Sequence, residues 1–195
     1  ETLDNQYRLF HERALPDLAN NIKCGNSLIG PDFYDNLDPA SITDELQQKI
    51  NAFDWHAEFP QIFSGKNPGF DAVIGNPPYG ADFPEITLSY LKAHFASCVW
   101  RCESYMLFVE KAVGLLNNGG QFGYIIPDTY LNLRFTQPLR ELLLRNTLIQ
   151  QVVSLPASIF PVTTVDTTLL FVEKAGPSDT YHETDVQVKA FNKKR

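Results

Sequence analysis

Apolar and polar positions along the chain predict alternating strands and helices. Residues 105, 108, 109, 112, 115 and 116 are apolar, which is the stripe of an amphipathic helix. The Asn-Asn-Gly-Gly that follows predicts a left-handed stop. A second helical pattern covers 133–146. Short apolar runs over 70–74, 122–126, 151–155 and 167–172 are typical of strands. This alternation predicts an α/β fold with a doubly wound, mostly parallel sheet, in which the last two strands are antiparallel.

The first part of the chain has a weaker pattern. Residues 4–22 show helical spacing interrupted by Pro16, and a short strand is predicted near 22–25. After the break at Gly30-Pro31, residues 41–45 resemble a helix start, and that helix is expected to end near Phe53.

Length and composition restrict the class of protein. The 195 residues suit one globular domain, and no apolar run approaches the roughly 20 residues of a membrane span. The first residues lack the pattern of a secretory signal, so a cytoplasmic location without a membrane partner is expected. Three cysteines are an odd number, which favours reduced thiols. His94, Cys98 and Cys102 have a spacing compatible with metal binding, but three ligands are too few, so no metal is predicted.

The candidate chemistry lies where the strand over 70–74 ends. This mostly apolar run predicts a central parallel strand, and it stops abruptly at Asn76-Pro77-Pro78-Tyr79. A loop of this kind suits the methylation of an aromatic amine. Such an amine is a poor nucleophile, because its lone pair is delocalised into the ring. The Asn76 side-chain oxygen and the Pro77 carbonyl could accept the two amine hydrogens, while Pro78 adds rigidity and no competing N–H. Tyr79 would stack on the nucleobase that carries the amine.

Four blocks in order resemble the gamma-class amino-methyltransferases of restriction-modification systems, particularly the fused type IIG enzymes. They are NIKCGNSL at 21–28, FDAVIGNPPYG at 70–80, FVEKAVGLLNNGGQFGYIIPDTYL at 108–131 and SIFPVTTVDTTLLFVEK at 158–174. The resemblance implies a Rossmann-like methyltransferase fold. It also implies methyl transfer from S-adenosylmethionine to the N6 amine of adenine in double-stranded DNA, without a metal. The adenine must leave the duplex to be reached.

The resemblance also assigns residues. Asn26 stands where the family usually has an acidic contact to the cofactor adenine, and Ser27 and Asn76 belong to the same cofactor-binding set. Phe108 matches the family's apolar contact to that adenine. Phe160 matches the second aromatic, which would contact the target base opposite Tyr79.

Three parts of the family pattern are missing. No two glycines are separated by one residue, so the Gly-x-Gly turn that binds the cofactor is not found. The target-recognition domain is also missing, and the family's acidic residue after strand two is not found either. We therefore expect residues 1–195 to be a partial catalytic domain that is inactive in isolation. The segment near 22–25 is then expected to lie outside the sheet, displaced, disordered or paired with another copy. A recognition domain elsewhere would explain the net charge of −7.

Two other functions stay open. The same fold and motif serve methyltransferases that act on RNA or on protein glutamine, and the chain could also be a non-catalytic scaffold. The recognition sequence and the presence of a fused nuclease domain are left open by these residues.

Overall fold

The computed structural model describes residues 20–156, 159, 165–178 and 180–191. Its helices are α1 (Asp44–Ile50), α2 (Trp55–Glu58), α3 (Pro60–Phe63), α4 (Glu85–His94), α5 (Ser104–Leu115) and α6 (Gln137–Asn146). Its strands are β1 (Phe70–Gly75), β2 (Leu116–Pro127), β3 (Thr147–Leu155), β4 (Thr167–Lys174) and β5 (Gln187–Ala190). Short 3-10 helices occur at Pro31–Tyr34, Pro39–Ser41, Asp128–Leu131 and Arg134–Thr136.

The five strands form one sheet in the order β1-β2-β4-β3-β5. β1 is parallel to β2, and β3 is parallel to β5. β4 lies between β2 and β3 and is antiparallel to both. Four strands therefore run in one direction, which confirms the mostly parallel sheet and the antiparallel pairing of the last two predicted strands. β5 was not predicted, because its four residues are all exposed and have no apolar run.

Two clusters of buried side chains hold the helices in place. In the first, α5 and α6 pack on one face of the sheet, where residues such as Val109 and Leu139 meet Phe122 and Leu170. In the second, α4 and the segment before β1 pack on another side of α5 through Leu91, Phe33 and Leu107. Helix α5 therefore lies between the sheet and the first part of the described chain, and its position depends on both clusters.

The beginning of the chain differs from expectation. The helical pattern over 4–22 lies almost entirely outside the described residues. The strand predicted near 22–25 is wrong: residues 22–24 have no regular structure. Among the described residues near this segment, Asn26 forms an isolated bridge with Ala52. The expectation that this segment lies outside the sheet is confirmed. The helix predicted from 41–45 is confirmed as α1, which begins after Thr43, whose hydroxyl accepts a hydrogen bond from the Leu46 N–H.

The turn between α5 and β2 also differs. The helix ends at Leu115 and β2 begins at Leu116, so the Asn-Asn-Gly-Gly does not stop the helix. It forms a bulge inside β2, because Phe70 pairs with Leu116 whereas Ala72 pairs with Gln121. Gly119 has the expected positive φ of 82°, but it uses that conformation within the bulge.

β1 is parallel, as predicted, but it is not central. In the described part of the sheet it pairs with β2 alone and forms an edge, and the Ile74 side chain is 90% exposed. The apolar run indicated burial on both faces, and burial depends on neighbours that the run itself does not encode. Among the described residues, no helix has the length and apolar character needed to cross a membrane.

Candidate functional site

The loop Asn76-Pro77-Pro78-Tyr79 begins where β1 ends, at the carboxyl edge of the parallel pair β1 and β2. This edge is where ligands bind in open α/β sheets. Asn76 and Pro78 are exposed, Pro77 is buried and Tyr79 is half-buried. The two proline rings fix φ on either side of the Pro77 carbonyl, so that acceptor has little freedom to reorient.

Tyr79 ties the loop to the sheet. Its hydroxyl lies 2.9 Å from the Asn76 side-chain oxygen and 2.9 Å from the Ile125 carbonyl oxygen of β2. Burial raises the pKa of Tyr79, so the hydroxyl keeps its proton at neutral pH and acts as a donor. One proton is shared between two acceptors. The Asn76 oxygen has two lone pairs, and one stays available to an amine hydrogen.

Ser104 holds the other side of the loop. Its hydroxyl donates to the Pro78 carbonyl over 2.7 Å and accepts from the Ala81 N–H over 3.3 Å. Ser104 is the first residue of α5 and is 0% exposed, so packing fixes its rotamer. The sequence did not single out this residue, because its partners are more than 20 positions away and a serine at a helix start is common.

Two of the predicted cofactor contacts share a cavity. Ser27 and Phe108 line a space of about 350 Å³ together with Trp55, Lys111 and the side chains of β1. Phe108 is half-buried and packs against the second cluster. The Trp55 indole N–H donates to the Ser27 carbonyl over 3.1 Å. Aromatic walls and a few polar groups suit a flat heterocycle such as adenine.

Asn26 immediately precedes Ser27 in the sequence, but its side chain stabilises the local turn. The amide oxygen accepts a hydrogen bond from the Leu28 N–H over 3.1 Å, which is a turn-forming contact. Asn26 is not among the residues that line the cavity around Ser27.

Lys111 is a charged residue that the sequence did not indicate. Burial lowers the pKa of its ammonium group, while Asp32 and Asp54 favour the charged form. It lines the same cavity as Ser27 and Phe108. A cation at the wall of an otherwise apolar cavity is available to pair with an anionic or electron-rich part of a ligand.

The cysteine prediction is wrong in part. Cys98 and Cys102 form a disulfide with a Cα–Cα distance of 4.4 Å, and Cys24 is the free, exposed thiol. Helix α4 ends at His94, and in the loop after it Trp100 and Cys102 both adopt positive φ, so the helix does not continue through the cysteines. The prediction assumed that these residues share one helical face. His94 pairs instead with Asp32 over 3.0 Å, and the described residues contain no cluster suited to a metal.

A family model described as "Eco57I restriction-modification methylase" matches residues 5–160. The chain belongs to this family. A relative named type II restriction enzyme and methyltransferase RM.Eco57I, from Escherichia coli, is 31% identical over 166 residues, covering 82% of this chain and 15% of that protein. The type II methyltransferase M.XhoI of Xanthomonas vasicola is 34% identical over 73 residues, covering 36% of this chain and 13% of that protein. The chain thus spans a small part of the relatives that it matches.

A solved structure supports the fold of this Eco57I-family chain. A Listeria monocytogenes protein assigned to the class I S-adenosylmethionine-dependent methyltransferases superposes with a TM-score of 0.52 at 17% identity, over 75% of this chain and 52% of the other. At this identity the likeness concerns the fold, and it agrees with the Rossmann-like sheet that was predicted.

The site residues predicted from the resemblance are only partly brought together. Asn76 and Tyr79 are joined by a hydrogen bond, and Ser27 and Phe108 share a cavity with the side chain of Ile74 at the end of β1. Phe160, the second predicted aromatic, lies outside the described residues. Its contact to a target base stays a prediction.

Proposed function

We propose that this chain is the base-facing part of a DNA methyltransferase that acts on the N6 amine of adenine. The observation that carries the proposal is the loop Asn76-Pro77-Pro78-Tyr79, held at the carboxyl edge of β1 by β2 on one side and α5 on the other. Membership of the Eco57I restriction-modification methylase family supports it.

The loop can perform this reaction without a strong base. The Asn76 oxygen and the Pro77 carbonyl would accept hydrogen bonds from the two amine hydrogens, which favours a tetrahedral nitrogen whose lone pair is no longer delocalised into the ring. The methylated nitrogen carries a positive charge, so its surplus proton is acidic and leaves to water. Fixed acceptors and positioning then provide the acceleration. Tyr79 stays protonated, so its part is to orient Asn76 and to offer its ring to the base. We infer that Phe160 forms the opposite wall.

The residues around the cavity fit a nucleoside-bearing cofactor. Phe108 and Trp55 would contact its adenine, and Ser27 and Lys111 would meet its polar groups. Asn26 would contact the cofactor only after the hydrogen bond from the Leu28 N–H to its side-chain oxygen is broken. S-adenosylmethionine supplies a methyl group on a sulfonium sulfur, and no metal is needed for that transfer.

We further infer that the substrate is double-stranded DNA with the adenine extruded. The acidic composition indicates that many of the contacts to the DNA phosphates come from a target-recognition domain or subunit in the remainder of the enzyme. The relatives are much longer than this chain, which leaves room for such a domain and for a nuclease.

The test uses the complete polypeptide encoded by the reading frame that contains these residues. Asn76→Ala should lower methyl transfer from labelled cofactor to DNA by roughly 100-fold or more, which is the scale for removing one group that stabilises a transition state. DNA binding should be retained. Asn36→Ala, an exposed asparagine in a turn, is the matched control and should leave the rate unchanged.

The same assay separates the alternatives. Labelled methyl groups on RNA or on protein glutamine, with none on DNA, would show a different substrate. A complete polypeptide that binds no cofactor by calorimetry would be a scaffold. Full activity in Asn76→Ala would refute the proposed chemistry.

A further inference from the structure

An exposed aromatic and basic patch lies in the loop before α5 and the segment before α6. We define the Trp100 patch as Trp100, Arg101, Arg134 and Phe135. The Trp100 side chain is 68% exposed, and its ring centroid lies 5.0 Å from that of Phe135. The Arg101 guanidinium carbon is 4.7 Å from the Trp100 ring centroid. Trp100, Arg134 and Phe135 also line a cavity of about 560 Å³.

The Trp100 patch lies at the same edge of the sheet as Asn76-Pro77-Pro78-Tyr79, which we call the reacting loop. β1 and β2 are parallel, so the loop after β1 and the segment after β2 leave from the same edge. Arg134 and Phe135 belong to the segment after β2, which leads into α6. Trp100 and Arg101 precede α5, which connects that edge back to the start of β2. Four residues after Trp100, Ser104 bonds directly to Pro78.

The chemistry of the patch fits a nucleic acid. An exposed indole offers a flat face on which an unstacked base can lie, and base–aromatic stacking tolerates any sequence. Two exposed guanidinium groups can pair with phosphates, which is how proteins position a nucleic-acid backbone. The Glu141 carboxylate also lines the cavity, but it accepts a hydrogen bond from the Gln137 amide over 2.8 Å. The chain carries a net charge of −7, yet two exposed arginines flank the contact between Trp100 and Phe135.

We propose that the Trp100 patch binds the DNA strand next to the extruded adenine, with Trp100 stacked on a neighbouring nucleotide and Arg101 and Arg134 paired with its phosphates. This inference rests on the proposed function for the identity of the nucleic acid. It adds a contact surface made by the methyltransferase domain itself, separate from a recognition domain.

Tryptophan fluorescence gives a direct test with the 195-residue chain. The chain has two tryptophans, and the half-buried Trp55 serves as an internal control. A short single-stranded DNA of mixed sequence, titrated at low salt, should quench the emission of the wild-type chain, because stacking on a base quenches an indole. In Trp100→Phe the remaining tryptophan is Trp55. Adding DNA should therefore leave the emission of this variant unchanged.

The arginines are tested by salt dependence. Replacing Arg101 and Arg134 by Ala should weaken DNA binding by roughly tenfold at low salt. It should also reduce the slope of log K against log salt by about 1.4, since each phosphate contact on a single strand contributes about 0.7. The matched control replaces Lys49 and Lys66, two exposed lysines outside the patch, by Ala, and it should retain the wild-type slope.

Three results would overturn the inference: no quenching of the wild-type chain, equal quenching of Trp100→Phe, or equal salt slopes in the arginine and lysine variants. Self-association of the wild-type chain that Trp100→Phe abolishes, without DNA quenching, would identify a protein-binding surface instead. The outcome is independent of the methylation assay. If no substrate is methylated while the quenching and the reduced salt slope of the arginine variant are both observed, the proposed function fails and the binding surface stands.

Discussion

Ser104 and Ser97 form a natural pair for measuring how firmly the reacting loop is held. Both side chains are 0% exposed, and both precede or begin α5. The Ser104 hydroxyl bonds to Pro78 and Ala81, whereas the Ser97 hydroxyl has no hydrogen-bond partner among the described residues. Replacing either by Ala removes the same atom from a buried site, so the difference between the two variants isolates the loop contacts.

The expected magnitude follows from the geometry. The 2.7 Å bond to the Pro78 carbonyl contributes about 1 kcal/mol of net stability, and the 3.3 Å bond from the Ala81 N–H adds less. Ser104→Ala should therefore lower the free energy of unfolding by about 1–1.5 kcal/mol. Ser97→Ala should be neutral or slightly stabilising, because it removes an unpaired buried hydroxyl. With a urea slope of about 2 kcal/mol/M, the midpoints of the two variants should differ by about 0.5–0.8 M.

A second measurement separates loop anchoring from general stability. Amide hydrogen exchange at Ala81 should speed up in Ser104→Ala and stay slow in Ser97→Ala, because only Ser104 accepts the Ala81 N–H. Equal urea midpoints in the two variants, or unchanged exchange at Ala81, would refute the assignment of Ser104 as the residue that positions the loop.

Three further predictions follow from backbone fit, burial and the disulfide. Gly69→Ala should lower the free energy of unfolding by about 1–3 kcal/mol more than Gly65→Ala does, as measured by urea unfolding. Both glycines have positive φ, but only at Gly69 would a Cβ meet the backbone of Leu116, at 2.6 Å. Burial raises the pKa of Tyr130 to about 12, above the value near 10 in an unfolded chain. Its stability contribution is therefore complete below pH 10 and declines toward pH 12, and Tyr130→Phe should flatten that decline in alkaline denaturation. Iodoacetamide in denaturant without reductant should modify Cys24 alone, as counted by mass spectrometry, since the other two thiols are paired.

Local patterns predicted the elements that form the site. The apolar run over 70–74 followed by Asn-Pro-Pro was enough to predict a strand and its abrupt end, because proline removes backbone donors and cannot continue a central strand. The helical stripe beginning at Tyr105 likewise predicted α5. Its buried members lie in the first cluster, and Phe108 packs half-buried against the second.

The features that were missed depend on contacts between distant residues. The edge position of β1 is decided by which strands pair with it, and the run over 70–74 looks the same at an edge or in the centre. The bond between Ser104 and Pro78 spans 26 positions, and no local pattern encodes it. The pairing of Cys98 with Cys102 depends on positive φ at residues that seldom adopt it, so spacing alone suggested a helix.

The reacting loop is held by two elements that are themselves packed together. Tyr79 is bonded to Ile125 of β2, and Pro78 is bonded to Ser104 at the start of α5. Helix α5 leads directly into β2, and both contribute buried side chains to the first cluster, so the two anchors cannot move far apart without opening that core. The position of the Asn76 acceptor is thus set by the packing of α5 against the sheet, although Asn76 itself is exposed. An exposed asparagine at the end of an edge strand would otherwise be mobile, and its ordered geometry is what a reaction based on positioning requires.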